Sequence, residues 1–299
     1  MSVFDVVVLT DPRYLEDSSD PYKHNVFYED QLVVEALRTE GLKVERKSWD
    51  AKYLDWSKAK ALIFRSTWDY FDRFKEFSKW IDKVSKQTQL INSERLFRWN
   101  IDKHYLLDLQ RKEVNIPESY FIEKGCQDSL NAIHKKLQWH ETVLKPCVSG
   151  AGRHTYKLNA ETIPEYETLF SELIHHEAFV LQPFQHRIVS DGEISLMLFN
   201  GQFTHAILKK AKPGDFRVQD DFGGTVHSYK PTEEEITLAI NALSACPELP
   251  IYARVDIIRD NVGDLAVSEL ELIEPELWFR EHPAAAQVLA KAIKNHIHS

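Results

Sequence analysis

At 299 residues the chain is long enough for about two domains and should bury roughly three quarters of its extended surface, which excludes a disulfide-stapled miniprotein. Hydrophobic residues make up 43% and charged residues 28%, with only 10 Gly and 12 Pro, a balance that excludes collagen-like and disordered chains. Lys plus Arg total 37 against 46 for Asp plus Glu, and the net charge of -9 repels polyanions on average, so nucleic acid is not an expected partner. Cys126, Cys147 and Cys246 are too widely spaced for a disulfide framework or a CxxC metal site, and the expected compartment is a reducing cytoplasm. The opening MSVFD lacks a basic leader, and no apolar run approaches the ~18 to 20 residues of a bilayer span, so no membrane partner is expected.

In chain order, FDVVVLT at residues 4–10 is short, continuous and β-branched, as a strand buried on both faces of a parallel sheet requires. Over residues 26–40, Phe27, Leu32, Val33, Ala36 and Leu37 recur at helical spacing, and Gly41 suits the position just past a helix end. Residues 42–47 and 59–64 read as further strands and 71–85 as a helix, so residues 1–95 form a small α/β domain whose ligand would sit at strand C-termini. Beyond residue 92, 102–110 reads as a short helix, 142–144 as a strand entering KPCVSGAGR, 164–175 as a helix, and 178–181 as a strand ending at Gln182-Pro183-Phe184. Strands at 194–199 and 203–208 flank Asn200-Gly201, a strong hairpin signal. A charged amphipathic helix at 231–245 precedes a second hairpin, 251–258 and 265–273, turning at 261–263. There is no internal repeat or low-complexity linker.

The last hairpin, YARVDII and LAVSELELIEP, carries the most chemistry. Side chains alternate along a strand, so Arg254 and Asp256 share one face, and Glu269 and Glu271 share a face of the partner. A turn centred near residue 262 sets Asp256 opposite Glu269 and Arg254 opposite Glu271, bringing three carboxylates and a guanidinium together. Oxygen-only ligation of this kind is what Mg²⁺ accepts. The same pattern also fits a solvated sheet face whose cross-strand salt bridges contribute ~0.2 to 1 kcal/mol per pair. KPCVSGAGR sets Lys145 at a strand end ahead of Ser149, Gly150, Ala151 and Gly152, small residues whose amides can approach phosphate oxygens closely. Lacking both GxxxxGK[ST] and GxGxxG, this loop supports neither a P-loop nor a dinucleotide site, and alone it is equally a plain turn. Lys103, early in the helix of NIDKHYLL, reads alone as a structural salt-bridge residue.

Taken in order, Lys103, VLKP with Lys145, the small-residue loop, VLQPF, DGE, RVD and ELELIEP resemble the ATP-grasp superfamily of carboxylate–amine ligases, over roughly residues 92–275. The resemblance implies an ATP-grasp fold, mixing α/β and α+β: a pre-ATP-grasp domain at 1–95, a small subdomain at 96–185, and a C-terminal subdomain with the metal site at 186–299. It implies ATP between the last two, with one or two Mg²⁺. On that likeness Lys103 and Lys145 contact phosphates, Ser149 through Arg153 form a lid over them, and Gln182 and Phe184 meet adenine. Asp256, Glu269 and Glu271 match the metal ligands, with ExE standing where ExN is commoner. Arg254 matches the arginine supporting the transferred phosphoryl group, and Arg217, in GDFRVQDDFGG, a second basic residue near the reacting carboxylate. For the ribose, Gln185, Asp191 and Glu193 are all candidates, and Glu193 is equally a salt-bridge partner.

RSTWDY and RWNIDKHYLL resemble a narrower, glutathione-synthetase-like subset that includes the ATP-grasp ligase closing the ring of cycloserine. There Arg65 can pair with a substrate carboxylate while Ser66 or Asp69 fixes an amine; alternatively Trp68 and Tyr70 pack at a domain interface and Arg65 is a structural ion pair. The implied activity is ATP-dependent C–N ligation of a small amino-acid-like carboxylate through an acyl phosphate, releasing ADP and phosphate. A small-molecule kinase or a non-catalytic nucleotide-binding module on the same fold are the alternatives. Small-molecule carboxylate and amine substrates are the expected partners, and a homo-oligomer is compatible with the sequence. Cys147 reads as a small buried structural residue rather than a nucleophile. The 13 histidines read as surface residues without zinc-type partners, and Asp220, Asp221, Glu233, Glu234 and Glu235 as solvated charges.

Overall fold

The FDVVVLT run forms strand β1 (Phe4–Thr10), and it is buried on both faces because it lies inside a parallel sheet with β2 (Val44–Ser48), β3 (Ala59–Ser66) and β4 (Gln89–Ile91), ordered β2-β1-β3-β4. The computed structural model describes residues 3–150, 152–218 and 223–298. Alternation along β1 sends Val6 and Val8 to one core and Val7 and Leu9 to another. Helix α1 (Pro21–Thr39) covers the first face and α2 (Phe74–Val84) the second. Helix α1 starts five residues before the expected 26, because Asp20 accepts a hydrogen bond from the Lys23 amide and Pro21 is preset for a first helical turn. Its polar first turn carries no apolar period to reveal it.

Two short helices follow, α3 (Glu94–Asn100), which the sequence reading did not anticipate, and α4 (Tyr105–Arg111). Lys103 therefore sits in the turn ahead of α4 rather than in the helix expected from residue 102. A second sheet, ordered β5-β8-β6-β7, is antiparallel and comprises β5 (Tyr120–Ile122), β6 (Glu141–Pro146), β7 (Tyr156–Asn159) and β8 (Phe179–Pro183). Helices α5 (Leu130–Leu137) and α6 (Ile163–Leu173) close its apolar face.

The third sheet, ordered β11-β10-β9-β12-β13, is also antiparallel: β9 (Glu193–Phe199), β10 (Gln202–Lys210), β11 (Thr225–Tyr229), β12 (Tyr252–Arg259) and β13 (Leu265–Glu271). The one-turn helix α7 (Arg187–Ser190) leads into it, and α8 (Glu233–Ser244) packs on it. The pairing of Arg254 with Glu271 and Asp256 with Glu269 is the expected one, but Ile257 pairs with Val267, so Ser268 is the extra residue of a bulge. Glu235, expected in solvent, is buried: it accepts hydrogen bonds from the Thr232 amide and the Tyr229 hydroxyl in a capping box. His134 and His205, expected at the surface, are buried as well.

After β13 the chain crosses back to the first sheet as an irregular strap, residues 274–280, whose carbonyls cannot pair in a ladder and are satisfied instead by side chains. Trp68 donates to the Glu274 oxygen at 2.9 Å, Arg65 to Pro275 at 2.9 Å, Arg254 to Glu276 at 3.4 Å, and His205 to Leu277 at 2.9 Å. The Phe279 and Arg280 amides donate to the buried Glu29 carboxylate. The strap leads to α9 (Ala284–His298), which packs on α1, so Leu289 and Ile293 share a core with Val6, Leu37 and Tyr252. Asn100 pairs with the edge of β13 as a strand would, donating to the Leu270 oxygen at 2.8 Å and accepting from the Leu272 amide at 2.9 Å. No helix among the described residues is long and apolar enough to cross a membrane.

Asn100→Ala leaves a buried carbonyl and amide unpaired at about 1 to 3 kcal/mol each, so urea denaturation should show a clearly lowered midpoint; an unchanged midpoint contradicts the assigned pairing. Burial drives the His205 imidazole down to about 4 from 6.5. The unfolded chain then takes up this proton first as pH falls, so this contribution is complete above about 6.5 and is lost on acidification through about 4, to a total of up to about 3 kcal/mol. A His205→Asn variant should lose less stability than wild type between pH 7 and 4.5, and parallel losses contradict it.

Candidate active site

A cleft of about 510 Å³ opens between the three sheets, and each contributes one wall. The third sheet supplies charge. Asp256 is almost fully buried, and accepts from Arg254 Nη2 at 2.8 Å, Lys209 Nζ at 3.2 Å and Ser195 Oγ at 2.5 Å. Burial opposes its ionisation, but the Arg254 and Lys209 cations outweigh that and hold it below the usual carboxylate range. Arg254 also reaches the Glu271 carboxylate. Glu269 pairs with Lys103 at 2.9 Å, and Lys103 and Lys145 keep its carboxyl low against the burial penalty. For Glu271 burial prevails, and Glu269 and Asp256 push its carboxyl further up against the pull of Arg254. Carboxylate oxygens of Asp256, Glu269 and Glu271 lie within 4.8 Å of one another.

The second sheet brings the opposing wall. Lys145 extends from β6 into the cleft with no described hydrogen-bond partner, and burial, with Lys103 adding repulsion, lowers its ammonium from the ordinary value. Lys103 Nζ donates to the Ser149 carbonyl at 3.3 Å, which ties the turn ahead of α4 to the small-residue loop. Ser149, Gly150 and Gly152 line the cleft, and a Cβ on Gly150 would stand 2.7 Å from the Phe71 ring, so any other residue there would have to displace that ring. Ala151 lies outside the described residues. Arg153 turns away to a bidentate pair with Glu177. At the far end Gln182 donates to Ser119 Oγ at 2.8 Å, while Phe184 stands edge-on to Phe216, with centroids 5.7 Å apart, under the Lys157 ammonium. Arg217 lines the same end, paired with Asp215 at 2.9 Å.

Of the three ribose candidates, Gln185 and Glu193 line the cleft, whereas Asp191 pairs with Arg187 and does not. Glu193 is paired with Lys209 at 2.5 Å. The first sheet supplies the remaining wall, and here the sequence-derived residues fall elsewhere. Arg65 and Ser66 lie within β3, deeply buried: Ser66 donates to Asp30 at 2.6 Å, and Arg65 holds the strap. Asp69 accepts from Trp49 Nε1 at 2.6 Å and from Arg73 at 2.8 Å. None of the three lines the cleft; Arg13, Tyr14, Tyr22, Trp68, Tyr70 and Phe71 do.

Sequence reasoning also missed Lys209. Turn arithmetic about Asn200-Gly201 pairs Phe199 with Gln202, and a bulge between Phe203 and His205 then sets Lys209 against Glu193. A lysine in a hairpin reads as solvent-facing unless its acidic partner is sought across the turn. Behind Lys103, His104 Nδ1 is 2.5 Å from Asp102 Oδ1, and Cys147 Sγ joins them within 4.8 Å, so this histidine, unlike the expectation, has ligand-type neighbours. Cys147 is buried, and burial pushes its thiol well up, which disfavours the thiolate a nucleophile needs.

Residues 6–92 match the N-terminal domain of D-cycloserine synthetase DcsG, and residues 102–274 match the RimK-like ATP-grasp domain. Cycloserine biosynthesis protein DcsG of Streptomyces lavendulae is 32% identical over 292 residues, spanning 89% of this chain and 94% of that protein. The crystal structure of D-cycloserine synthetase DcsG matches with a TM-score of 0.84 at 28% identity, covering 98% of this chain and 99% of that one. D-alanine–D-alanine ligase from Bacillus anthracis complexed with ATP shares the fold, with a TM-score of 0.65 at 13% identity over 98% of this chain and 97% of that one. The ATP-grasp fold expected from the motif order is therefore the fold of this chain, which belongs to the RimK-like ATP-grasp family and is an ATP-dependent ligase.

Proposed function

We propose that this ligase activates a small amino-acid-like carboxylate as an acyl phosphate and passes it to an amine, releasing ADP and phosphate. The observation that carries the reading is the meeting, in one cleft, of a partly buried Lys145 without a described partner, Lys103, and three close carboxylates. An amine does not displace hydroxide from a carboxylate at neutral pH, and phosphorylation supplies both a better electrophile and a better leaving group. No side-chain nucleophile is needed, so catalysis rests on positioning and charge.

On this reading residues 1–95 provide the substrate wall, and the units at 96–185 and 186–299 hold the nucleotide. Lys103 and Lys145 bind the phosphates, Ser149, Gly150, Ala151 and Gly152 shield them from water, and Gln182 and Phe184 flank the base. Asp256, Glu269 and Glu271 present hard oxygens at a spacing that fits Mg²⁺. Bound there, the ion would neutralise charge on the phosphate oxygens. Arg254, held by Asp256 and Glu271, would stabilise the carboxylate and phosphoryl charge, with Arg217 as a second cation at the rim. The likeness to DcsG supports a serine-derived acid. Cycloserine is a serine skeleton closed between its carboxyl carbon and an O-linked nitrogen, and opening that bond gives O-amino-D-serine.

With ATP, Mg²⁺ and O-amino-D-serine the protein should release ADP and phosphate, and release of AMP and pyrophosphate contradicts the acyl-phosphate route. Asp256→Asn and Glu269→Gln each remove a carboxylate charge at nearly constant volume, and kcat should fall by about 10²-fold or more. Wild-type turnover in either variant, with folding verified by circular dichroism, contradicts the metal assignment.

A further inference from the structure

The acids of the cleft that are at least half-buried are paired with one exception among the described residues. Among those at least partly buried, Asp256 and Glu271 meet Arg254, Glu269 meets Lys103, Glu193 meets Lys209, and Glu276 meets Arg280. Glu274 has no cation within 4.0 Å among the described residues, although it lines the same cleft. Burial, with the Glu269 charge adding to it, pushes its carboxyl up to about 7 against the pull of the Tyr70 hydroxyl and a weaker one from Lys103. A buried acid without a counter-charge is costly unless something brings one.

Its surroundings are built rather than incidental. Trp68 donates to the Glu274 carbonyl at 2.9 Å, and the buried Tyr70, whose hydroxyl interacts electrostatically with the Glu274 carboxyl, lines the same cleft, so two residues of RSTWDY meet the same residue of the strap. The Tyr14 ring stands edge-on to Trp68 with centroids 5.7 Å apart, and both line the cleft. A carboxylate set among aromatic rings is a receptor for an organic cation, which gains an ion pair and ring-face attraction together.

We infer that Glu274, framed by Tyr70, Trp68 and Tyr14, receives the ammonium group of the substrate. The inference rests on the ligase reading above and narrows it: the acid to be activated carries an ammonium close to its carboxylate. Glu274 thus selects amino acids over the corresponding acids without nitrogen, while Arg254 and the lysines act on the carboxylate and phosphate.

The test compares O-amino-D-serine with 3-(aminooxy)propanoate, the same molecule lacking its α-ammonium, by calorimetric titration into the full-length protein loaded with Mg²⁺ and a nonhydrolysable ATP analogue. Wild type should bind the first about tenfold or more tightly, and Glu274→Gln should bring the two within about twofold by weakening only the first. Equal affinities in wild type, absence of binding by either compound, or a preference that survives in Glu274→Gln each overturn the inference. The wild-type comparison stands even if the variant folds poorly. ADP release, measured separately with ATP, reports on the ligase reading, so the two can fail independently.

Discussion

A charge removed from water is tolerated inside a protein only when its opposite is held at bonding distance, and the cleft is organised by that constraint. Asp256 is the hub: on one face of a buried sheet it gathers Arg254, Lys209 and Ser195, and through Arg254 it reaches Glu271. Lys103 and Glu269 make a second pair a few residues away. Removing either member of such a pair leaves a buried charge uncompensated, at about 3 to 5 kcal/mol. The groups proposed to handle phosphate are therefore the ones that hold Asp256 and Glu269 ionised, and on that proposal a nucleotide would compete with carboxylates for Lys103 and Arg254.

The strap at 274–280 links this charge network to the first sheet. Its carbonyls take hydrogen bonds from Trp68, Arg65, Arg254 and His205, which come from two sheets and the loop after β3. Strap and cleft are thus one mechanical unit. Arg254 shares its bonding between Asp256 and the strap, and the Trp278 ring lies 5.2 Å from its guanidinium. This arrangement gives RSTWDY a physical role that differs from direct substrate binding by Arg65: the segment shapes one wall of the cleft by holding the strap.

Local chemistry was readable in the sequence where a short turn fixes geometry. Residue arithmetic across the turn near residue 262 places Asp256 against Glu269 and Arg254 against Glu271, because a tight hairpin leaves little freedom of register. The bulge at Ser268 inverts the alternation beyond it, so that Val267 joins Leu270 in the core behind the sheet, and a regular hairpin register does not anticipate it. Arg65, Ser66 and Asp69 look like ligands because polar groups at a strand end usually meet solvent; only the strap, some two hundred residues later, shows that the end of β3 is covered. Glu274 was unreadable as a special residue for the same reason, as its distinction lies in having no counter-ion among the described residues, which only the folded neighbourhood reveals. The early start of α1 and the buried Glu235 were hidden by caps, which act through one side chain rather than a period.

The most direct measurement of the central claim is anomalous diffraction from crystals grown with Mn²⁺ in place of Mg²⁺ and a nonhydrolysable ATP analogue. The account predicts an anomalous peak within bonding distance of Asp256, Glu269 and Glu271 carboxylate oxygens, with the Lys103 and Lys145 ammonium groups on the phosphates of the same nucleotide. A nucleotide bound with no ion at those three carboxylates, or with both lysines turned away from it, would contradict the account.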